Sequence, residues 1–205
     1  MYKGERFNSI SHLVGVVMAG IGASLLISHS IITGDPYKIT AFTIYGIILV
    51  GLYAISTIYH SIQGPWKDRF RQMDYLSIYV MIAGTYTPFT LVTLRGVWGW
   101  SLFTIIWTLA LVGIVQEVML GKKTRRYSLI IYLLMGWLII VALKPLIASL
   151  ETAGVWWLVA GGLSYTFGVI FFVFDEKVRH FHGIWHLFVM GGSICQFVCL
   201  FFYVA

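Results

Sequence analysis

The sequence contains few charged residues for its length. Asp, Glu, Lys and Arg make up 11% of its 205 residues, hydrophobic residues make up 59%, and the mean hydropathy is +0.86. Soluble domains carry roughly 25% charged residues, so a chain of this composition cannot cover its own surface with polar side chains. The shortage of charge therefore excludes a soluble globular protein and indicates that lipid covers most of the surface.

Cysteine is also scarce. Cys195 and Cys199 are the only two, and they lie four positions apart in the last apolar run, on one face of a helix. Two thiols in that arrangement support neither a disulfide framework nor a Cys-x-x-Cys site. We interpret both as small packing residues.

Long apolar runs, in contrast, are abundant. A helix needs about 20 apolar residues to cross a ~30 Å hydrocarbon core, whereas the strands of a membrane barrel alternate over about 10 residues. Seven continuously apolar windows reach the helical length, and the first is too long for the ~7–15-residue core of a cleavable signal peptide. We predict an all-α membrane protein, a single domain over residues 1–205 built as a seven-transmembrane-helix bundle. The predicted helices are 12–32, 40–62, 74–94, 98–120, 127–148, 153–174 and 184–205.

Lys and Arg residues lie mainly on one side of this predicted bundle. Eleven of the fourteen precede the first window or lie in the second, fourth and sixth connections, leaving Lys38, Arg95 and Lys144 on the other side. Because Lys and Arg are enriched in cytoplasmic loops, we predict a cytoplasmic N-terminus and an outer C-terminus. That orientation argues against a G-protein-coupled receptor, whose N-terminus lies outside. The net charge of +6 then reflects topology and anionic lipid headgroups rather than nucleic-acid binding.

Four ionisable residues are predicted to lie in one layer near the cytoplasmic face. His60 ends the second window, Asp74 begins the third, and His182 and His186 lie at the start of the seventh. Ionisable side chains at membrane depth are costly and indicate function by default. The two histidines of the seventh window are four residues apart, so their rings share one helix face.

These residue types predict a metal site. With His60, the histidine pair would supply three neutral nitrogen ligands, and three protein ligands with one open position are typical of catalytic zinc. Asp74 is then a candidate to orient a water or accept its proton. Ser56, one turn before His60, is a candidate hydrogen-bond donor to a carbonyl or to the water. The alternative is that the histidine pair is hydrated and binds no metal.

Other polar residues receive structural interpretations. Glu5, Asn8 and His12 occur at helical spacing near the first window. We interpret them as an interfacial cap, with Asn8 or the following serine at the N-cap, rather than as partners of the predicted ligands. Glu117 and residues 175–179 are interpreted as solvated helix ends.

Four segments form a recognisable set. They are residues 56–61 (STIYHS), Asp74 with residues 83–88 (AGTYTP), residues 143–145 (LKP) and residues 182–189 (HGIWHLFV). Together they resemble the signature segments of the haemolysin III family, the bacterial branch of the progestin and adipoQ receptor (PAQR) superfamily. The N-terminal pattern Glu5-x-x-Asn8-x-x-Ser11-His12 also resembles that of the family, and the resemblance extends over essentially the whole chain.

The resemblance implies a zinc ion held by His60, His182 and His186, with Asp74 and Ser56 lining the site through water. It also implies a cytoplasmic N-terminus. Related receptors are linked to hydrolysis of ceramide amide bonds, and bacterial members to membrane lipid and energy homeostasis. We therefore expect a multi-pass protein of the bacterial cell membrane that hydrolyses a lipid amide with zinc.

Two other functions remain open. The zinc would be structural if Asp74 filled the fourth position, and the protein would then be a non-catalytic membrane regulator or sensor. The family name instead suggests a pore-forming cytolysin. A secreted toxin must be soluble before it inserts, and this sequence offers no soluble face, which argues against a cytolysin.

Overall fold

The computed structural model describes residues 1–2, 4–120 and 125–205. In this part of the chain every regular element is helical, and seven segments are long and apolar enough to cross a membrane. The predicted all-α bundle and its multi-pass character are thereby confirmed. The seven segments are Arg6–Thr33, Pro36–Ser61, Lys67–Thr93, Val97–Leu120, Tyr127–Ser149, Thr152–Phe174 and Phe181–Tyr203.

The described residues form eight α-helices, two of which share the fifth span. The start of the first span, the end of the second and the starts of the third and seventh meet at one face, where Glu5 contacts His60 and Lys67 and where His60 contacts His182. We call it the N-terminal face. The helices are α1 (Arg6–Thr33), α2 (Pro36–Ser61), α3 (Lys67–Pro88), α4 (Val97–Leu120), α5 (Arg125–Gly136), α6 (Leu143–Ser149), α7 (Thr152–Phe174) and α8 (Phe181–Tyr203).

Two helices begin well before their predicted windows. α1 begins at Arg6 instead of residue 12, and α3 at Lys67 instead of residue 74. The added turns carry polar side chains, which suit the membrane interface and escape a search for apolar runs. These polar turns lie at the N-terminal face and belong to the candidate site described below.

The fifth span is broken, although the sequence predicts one continuous helix over 127–148. α5 ends at Gly136, and a 3-10 helix, Leu138–Ala142, leads into α6. The hydroxyl of Tyr86 donates a hydrogen bond to the Gly136 carbonyl (3.0 Å) and accepts one from the Ile139 amide (2.8 Å). A side chain inserted into the backbone ladder is a recognised cause of a helix break.

Close packing of α1 on α2 brings the first two spans together. A Cβ added at Gly46 would lie 2.7 Å from Ala23 Cβ, and one at Gly15 would lie 2.7 Å from the Tyr53 ring. Small residues that allow close helix approach are typical of membrane bundles. Large apolar side chains face outward, among them Ile32, which is 83% exposed, as expected for a surface in contact with lipid.

Candidate metal centre

Three histidines converge at the N-terminal face. His60 lies in the last turn of α2, while His182 and His186 occupy the first two turns of α8. One ring nitrogen from each lies within 4.8 Å of the other two, and the Nε2 atoms of His60 and His182 are 3.3 Å apart. The three form a group that could bind a metal ion, assembled from positions more than 120 residues apart.

Each imidazole is held on its other nitrogen by an oxygen. His60 Nδ1 donates to the Glu5 carboxylate and His182 Nδ1 to the Asp175 carboxylate, both at 2.7 Å. His186 Nδ1 lies 3.2 Å from the backbone carbonyl of Asn8 and 3.0 Å from the Ser11 hydroxyl. Histidine ligands of metals almost always donate their second N–H to such acceptors, which set the tautomer and the ring orientation.

The hydrogen bonds decide where the lone pairs point. Carboxylates only accept hydrogen bonds, so Nδ1 of His60 and of His182 carries a hydrogen, and in the neutral form of each ring Nε2 carries the lone pair. Two such lone pairs at 3.3 Å repel each other unless a proton or a metal cation lies between them. The buried Nε2 of His186 has no partner among the described residues, although buried polar atoms are nearly always bonded. This donor set fits a divalent transition-metal ion.

Asp74 and Ser56 lie beside the three histidines. Asp74 is 6% exposed and Ser56 1%. The Asp74 carboxyl faces the Ser56 hydroxyl within electrostatic range of His60 and His182, although the Ser56 hydroxyl lacks the geometry of a full hydrogen bond. In the described part of the chain, the group that could hold a metal ion contains imidazoles alone. Asp74 is thus placed next to the group rather than in it.

Glu5 carries a full negative charge at neutral pH. Burial by itself would raise the pKa of Glu5, but the hydrogen bonds from His60 and Asn8 and the charge of Lys67 lower it to about 2. Lys67 Nζ lies 3.9 Å from Glu5 Oε1. The carboxylates of Glu5 and Asp175 lie at the outer nitrogens of His60 and His182. Carboxylate oxygens near the rings make the electrostatic potential between the rings more favourable for a cation.

Comparison with known proteins agrees with the motif segments. The sequence profile described as haemolysin-III related matches residues 1–197. This chain belongs to the haemolysin-III-related family. It is 45% identical to Hemolysin-3 of Bacillus cereus over 203 residues, which cover 98% of this chain and 92% of that protein. It is 44% identical to the Hemolysin-3 homolog of Bacillus subtilis (strain 168), covering 98% and 94%.

The relationship extends beyond bacteria. The chain is 30% identical to human monocyte to macrophage differentiation factor over 208 residues, covering 96% of this chain and 83% of the human protein. Membership of the haemolysin-III-related family, with a relative in an animal, confirms the predicted resemblance to the wider PAQR superfamily. The structure brings together the five residues for which the sequence predicted a site: Ser56, His60, Asp74, His182 and His186.

The predicted cap at the start of the first helix is wrong. Glu5 occupies the N-cap position, and its side chain makes no capping hydrogen bond. Asn8 instead donates from Nδ2 to Glu5 (2.7 Å), while the Ser9 and Ser61 hydroxyls are 2.5 Å apart. Because α1 begins earlier than the apolar window, Asn8 contacts Glu5, the partner of His60, and Ser9 contacts Ser61, the residue that follows His60.

Of two acidic residues interpreted as solvated helix ends, Glu117 is buried and Asp175 is half-buried, with its side chain mostly covered. The Asp175 side chain is 7% exposed and pairs with His182. Glu117 is 5% exposed and accepts a hydrogen bond from the Ser128 hydroxyl at 2.5 Å. The interpretation was wrong for both, because a charge next to an apolar run looks solvated until the neighbouring helix is in place. In contrast, residues 176–179 are exposed as predicted.

Proposed function

We propose that this protein is a zinc-dependent hydrolase that cleaves an amide bond of a membrane lipid, with its metal centre near the cytoplasmic face. One observation carries the proposal: two buried imidazoles and one half-buried imidazole bring one nitrogen each within 4.8 Å of the others, and a buried carboxyl lies beside them. When bound, Zn²⁺ supplies Lewis-acid chemistry, because it polarises a carbonyl and makes water more acidic.

The surrounding residues then have distinct tasks. His60, His182 and His186 would hold the ion, and three protein ligands are the number typical of catalytic rather than structural zinc sites. Asp74 accepts the proton of the attacking water and delivers it to the departing amine, as a general base and acid does. Ser56, which faces Asp74, orients that carboxyl or donates to the substrate carbonyl.

An apolar groove supports a lipid substrate. It has a volume of about 290 Å³ and runs between α2 and α3, with Leu52, Ile55, Leu76 and Ser77 in its wall. Ile55 precedes Ser56 in the chain, and Ser77 lies one turn after Asp74. If the acyl chain of a lipid lay in this groove, the amide bond attached to that chain would lie near Ser56 and Asp74.

A second function, a membrane sensor with structural zinc, is favoured by one feature. The group joins α2 to α8, so a bound ion would cross-link two spans. The two functions differ in the fourth ligand, which is a protein atom in structural sites and water or substrate in catalytic ones. X-ray absorption spectroscopy of the zinc-loaded protein distinguishes the two functions. A carboxylate of the protein as the fourth ligand would favour the sensor, and a water molecule would favour the hydrolase.

Metal analysis of the purified full-length protein tests the proposal first. We expect one zinc per chain in the wild type and a loss of stoichiometric zinc in His60→Ala and His186→Ala. His29→Ala is the matched control, because His29 lies near the other end of α1 and should leave the zinc content unchanged. A wild type without stoichiometric zinc, or two site variants that keep it fully, would refute the metal centre.

A further inference from the structure

Glu5 precedes the first membrane span and yet contacts a residue of the metal-binding group. Its Oε2 atom accepts hydrogen bonds from His60 Nδ1 and Asn8 Nδ2, both at 2.7 Å. We propose that Glu5 is a positioning residue of the metal centre, which holds His60 in the ring orientation and tautomer that present Nε2 to the ion. The inference rests on the proposed metal centre and deepens it.

The histidine needs this support because of its place in the chain. His60 is the penultimate residue of α2, where the helix ends and backbone constraints weaken. A neutral imidazole carries its hydrogen on either nitrogen, and only the form with the hydrogen on Nδ1 leaves the Nε2 lone pair for a metal. A carboxylate at Nδ1 selects that form and raises the basicity of the ligand nitrogen.

Glu5 is itself fixed in place. Lys67 Nζ lies 3.9 Å from its second carboxylate oxygen, Oε1, and the Tyr2 hydroxyl donates to the same oxygen at 3.5 Å. The turn that carries Glu5 packs closely on α8, because a Cβ added at Gly183 would lie 2.2 Å from the Phe7 ring. The carboxylate is therefore preorganised before any metal binds.

Packing alone does not explain why a glutamate lies at position 5 in contact with His60. The Glu5 side chain is 24% exposed, whereas His60 is 2% exposed, so Glu5 fills no core volume. The hydrogen bond also joins residues 55 positions apart, whereas the equivalent support of His182 comes from Asp175, seven positions away. Glu5 thus makes the first turn of α1 part of the metal centre formed by α2 and α8.

The test measures zinc affinity directly, by competition with a fluorescent chelator, using the purified full-length protein in detergent. We expect Glu5→Ala to raise the zinc Kd by about 10–100-fold, the usual effect of losing such a partner. Glu5→Gln keeps an oxygen that accepts the Nδ1 hydrogen but loses the charge. Its zinc Kd should therefore lie between those of the wild type and Glu5→Ala, at least threefold above the wild-type value. Glu151→Gln, an exposed acid before α7, is the matched control and should match the wild type.

Two further readouts separate positioning from a structural role. The absorption spectrum of bound Co²⁺ should change in Glu5→Ala and return towards wild type in Glu5→Gln. The melting temperature of the metal-free protein should change little in either variant, while the increase caused by zinc should shrink. If Glu5→Ala fails to fold, Glu5→Gln decides alone.

Wild-type Kd and Co²⁺ spectra in the variants that fold would overturn the role of Glu5 and leave the proposed metal centre intact. A fall in metal-free stability with unchanged zinc affinity would also overturn it, because Glu5 would then be structural only. If the wild type itself bound no stoichiometric zinc, the proposed function would fail and this inference with it.

Discussion

His12 lies face to face with His186, with ring centroids 3.5 Å apart and planes inclined by 13°. The stack closes one side of the His186 ring, and the Asn8 carbonyl and Ser11 hydroxyl hold its Nδ1 edge. The ring therefore cannot rotate without displacing α1, and its Nε2 atom stays directed towards His60 and His182. The orientation of a residue of α8 thus depends on how the first two turns of α1 pack.

Gly183→Ala tests this dependence. The new Cβ would lie 2.2 Å from the Phe7 ring and 3.0 Å from Asn8 Oδ1, which forces α1 away from α8. Overpacking costs about 1–3 kcal/mol, against a helix-propensity gain of up to about 1 kcal/mol. We expect a lower melting temperature and a zinc Kd about tenfold higher, the lower end of the effect of losing an outer partner.

Gly20→Ala is the control for that substitution. A Cβ at Gly20 meets no described atom within 4 Å, so only the propensity gain applies and stability should stay equal or rise. If Gly183→Ala bound zinc as tightly as the wild type, the packing of α1 would not control the site.

Asp74→Asn separates metal binding from turnover. The group of possible ligands consists of histidines, so the amide variant should keep its zinc. It cannot take a proton from water, and loss of a general base reduces turnover by about 10²–10⁴-fold. Zinc content and release of fatty acid from ceramide-like lipids are measured on the same preparation. Full turnover in Asp74→Asn would contradict its assignment as the base, and loss of zinc would make it a ligand.

Gly51→Phe tests the groove between α2 and α3. Gly51 lines the groove and has no described atom within 4 Å of an added Cβ, so a phenyl ring enters space that an acyl chain would use. We expect long-chain amides to be hydrolysed more slowly, with an increased KM, while short-chain analogues and zinc content are unaffected. Gly20→Phe, which also points into open space, should not change the chain-length preference. Equal effects on long and short chains would place the substrate elsewhere.

Tyr86→Phe tests the break in the fifth span. Loss of the hydroxyl removes the partner of the Gly136 carbonyl and of the Ile139 amide. A backbone group that loses its hydrogen bond away from water costs about 1–3 kcal/mol, and both groups lie within a membrane span. The melting temperature in detergent should therefore fall by about 2–4 °C per kcal/mol. Tyr127→Phe, at a side chain that is 63% exposed, should change stability by less than about 0.5 kcal/mol. If Tyr86→Phe were as stable as Tyr127→Phe, the break in the fifth span would not depend on the Tyr86 hydroxyl.

Cysteine labelling tests the orientation in the membrane. Lys177 precedes α8 at the N-terminal face, and Val97 begins α4 at the opposite face, where it is 84% exposed. A cytoplasmic N-terminus predicts that an impermeant maleimide labels Val97→Cys in intact cells. It should label Lys177→Cys only after permeabilisation. The reverse labelling pattern would show that the N-terminal face lies outside the cell and would place the metal centre there.

Most of the predicted arrangement could be obtained from local patterns. Seven apolar windows indicate seven spans, and the antiparallel order of those spans puts His60 and His186 at the same depth. The four-residue spacing of His182 and His186 puts their rings on one face. None of these steps requires knowledge of which helices touch, because depth and helix face follow from chain order and helical period alone.

The outer partners of the histidines could not be obtained in this way. Glu5 and Asp175 both flank apolar runs, where a charged side chain is ordinarily solvated. The Glu5 carboxylate reaches His60 from a segment that packs closely on α8 at Gly183, and the Asp175 carboxylate turns back onto His182 of the following helix. Tyr86 likewise bonds the backbone at a helix break 50 residues further along the chain, and Gly136 in the fifth apolar run does not by itself predict that break.

By itself the sequence determined the lipid environment, the number of spans and the depth at which the histidines lie, since each of these follows from composition and helical geometry. Only the tertiary structure decided which oxygen faces which imidazole nitrogen and therefore where the lone pairs point. The physical reason is that a hydrogen bond depends on distances of a few tenths of an ångström between helices, whereas an apolar pattern specifies only that the helices meet.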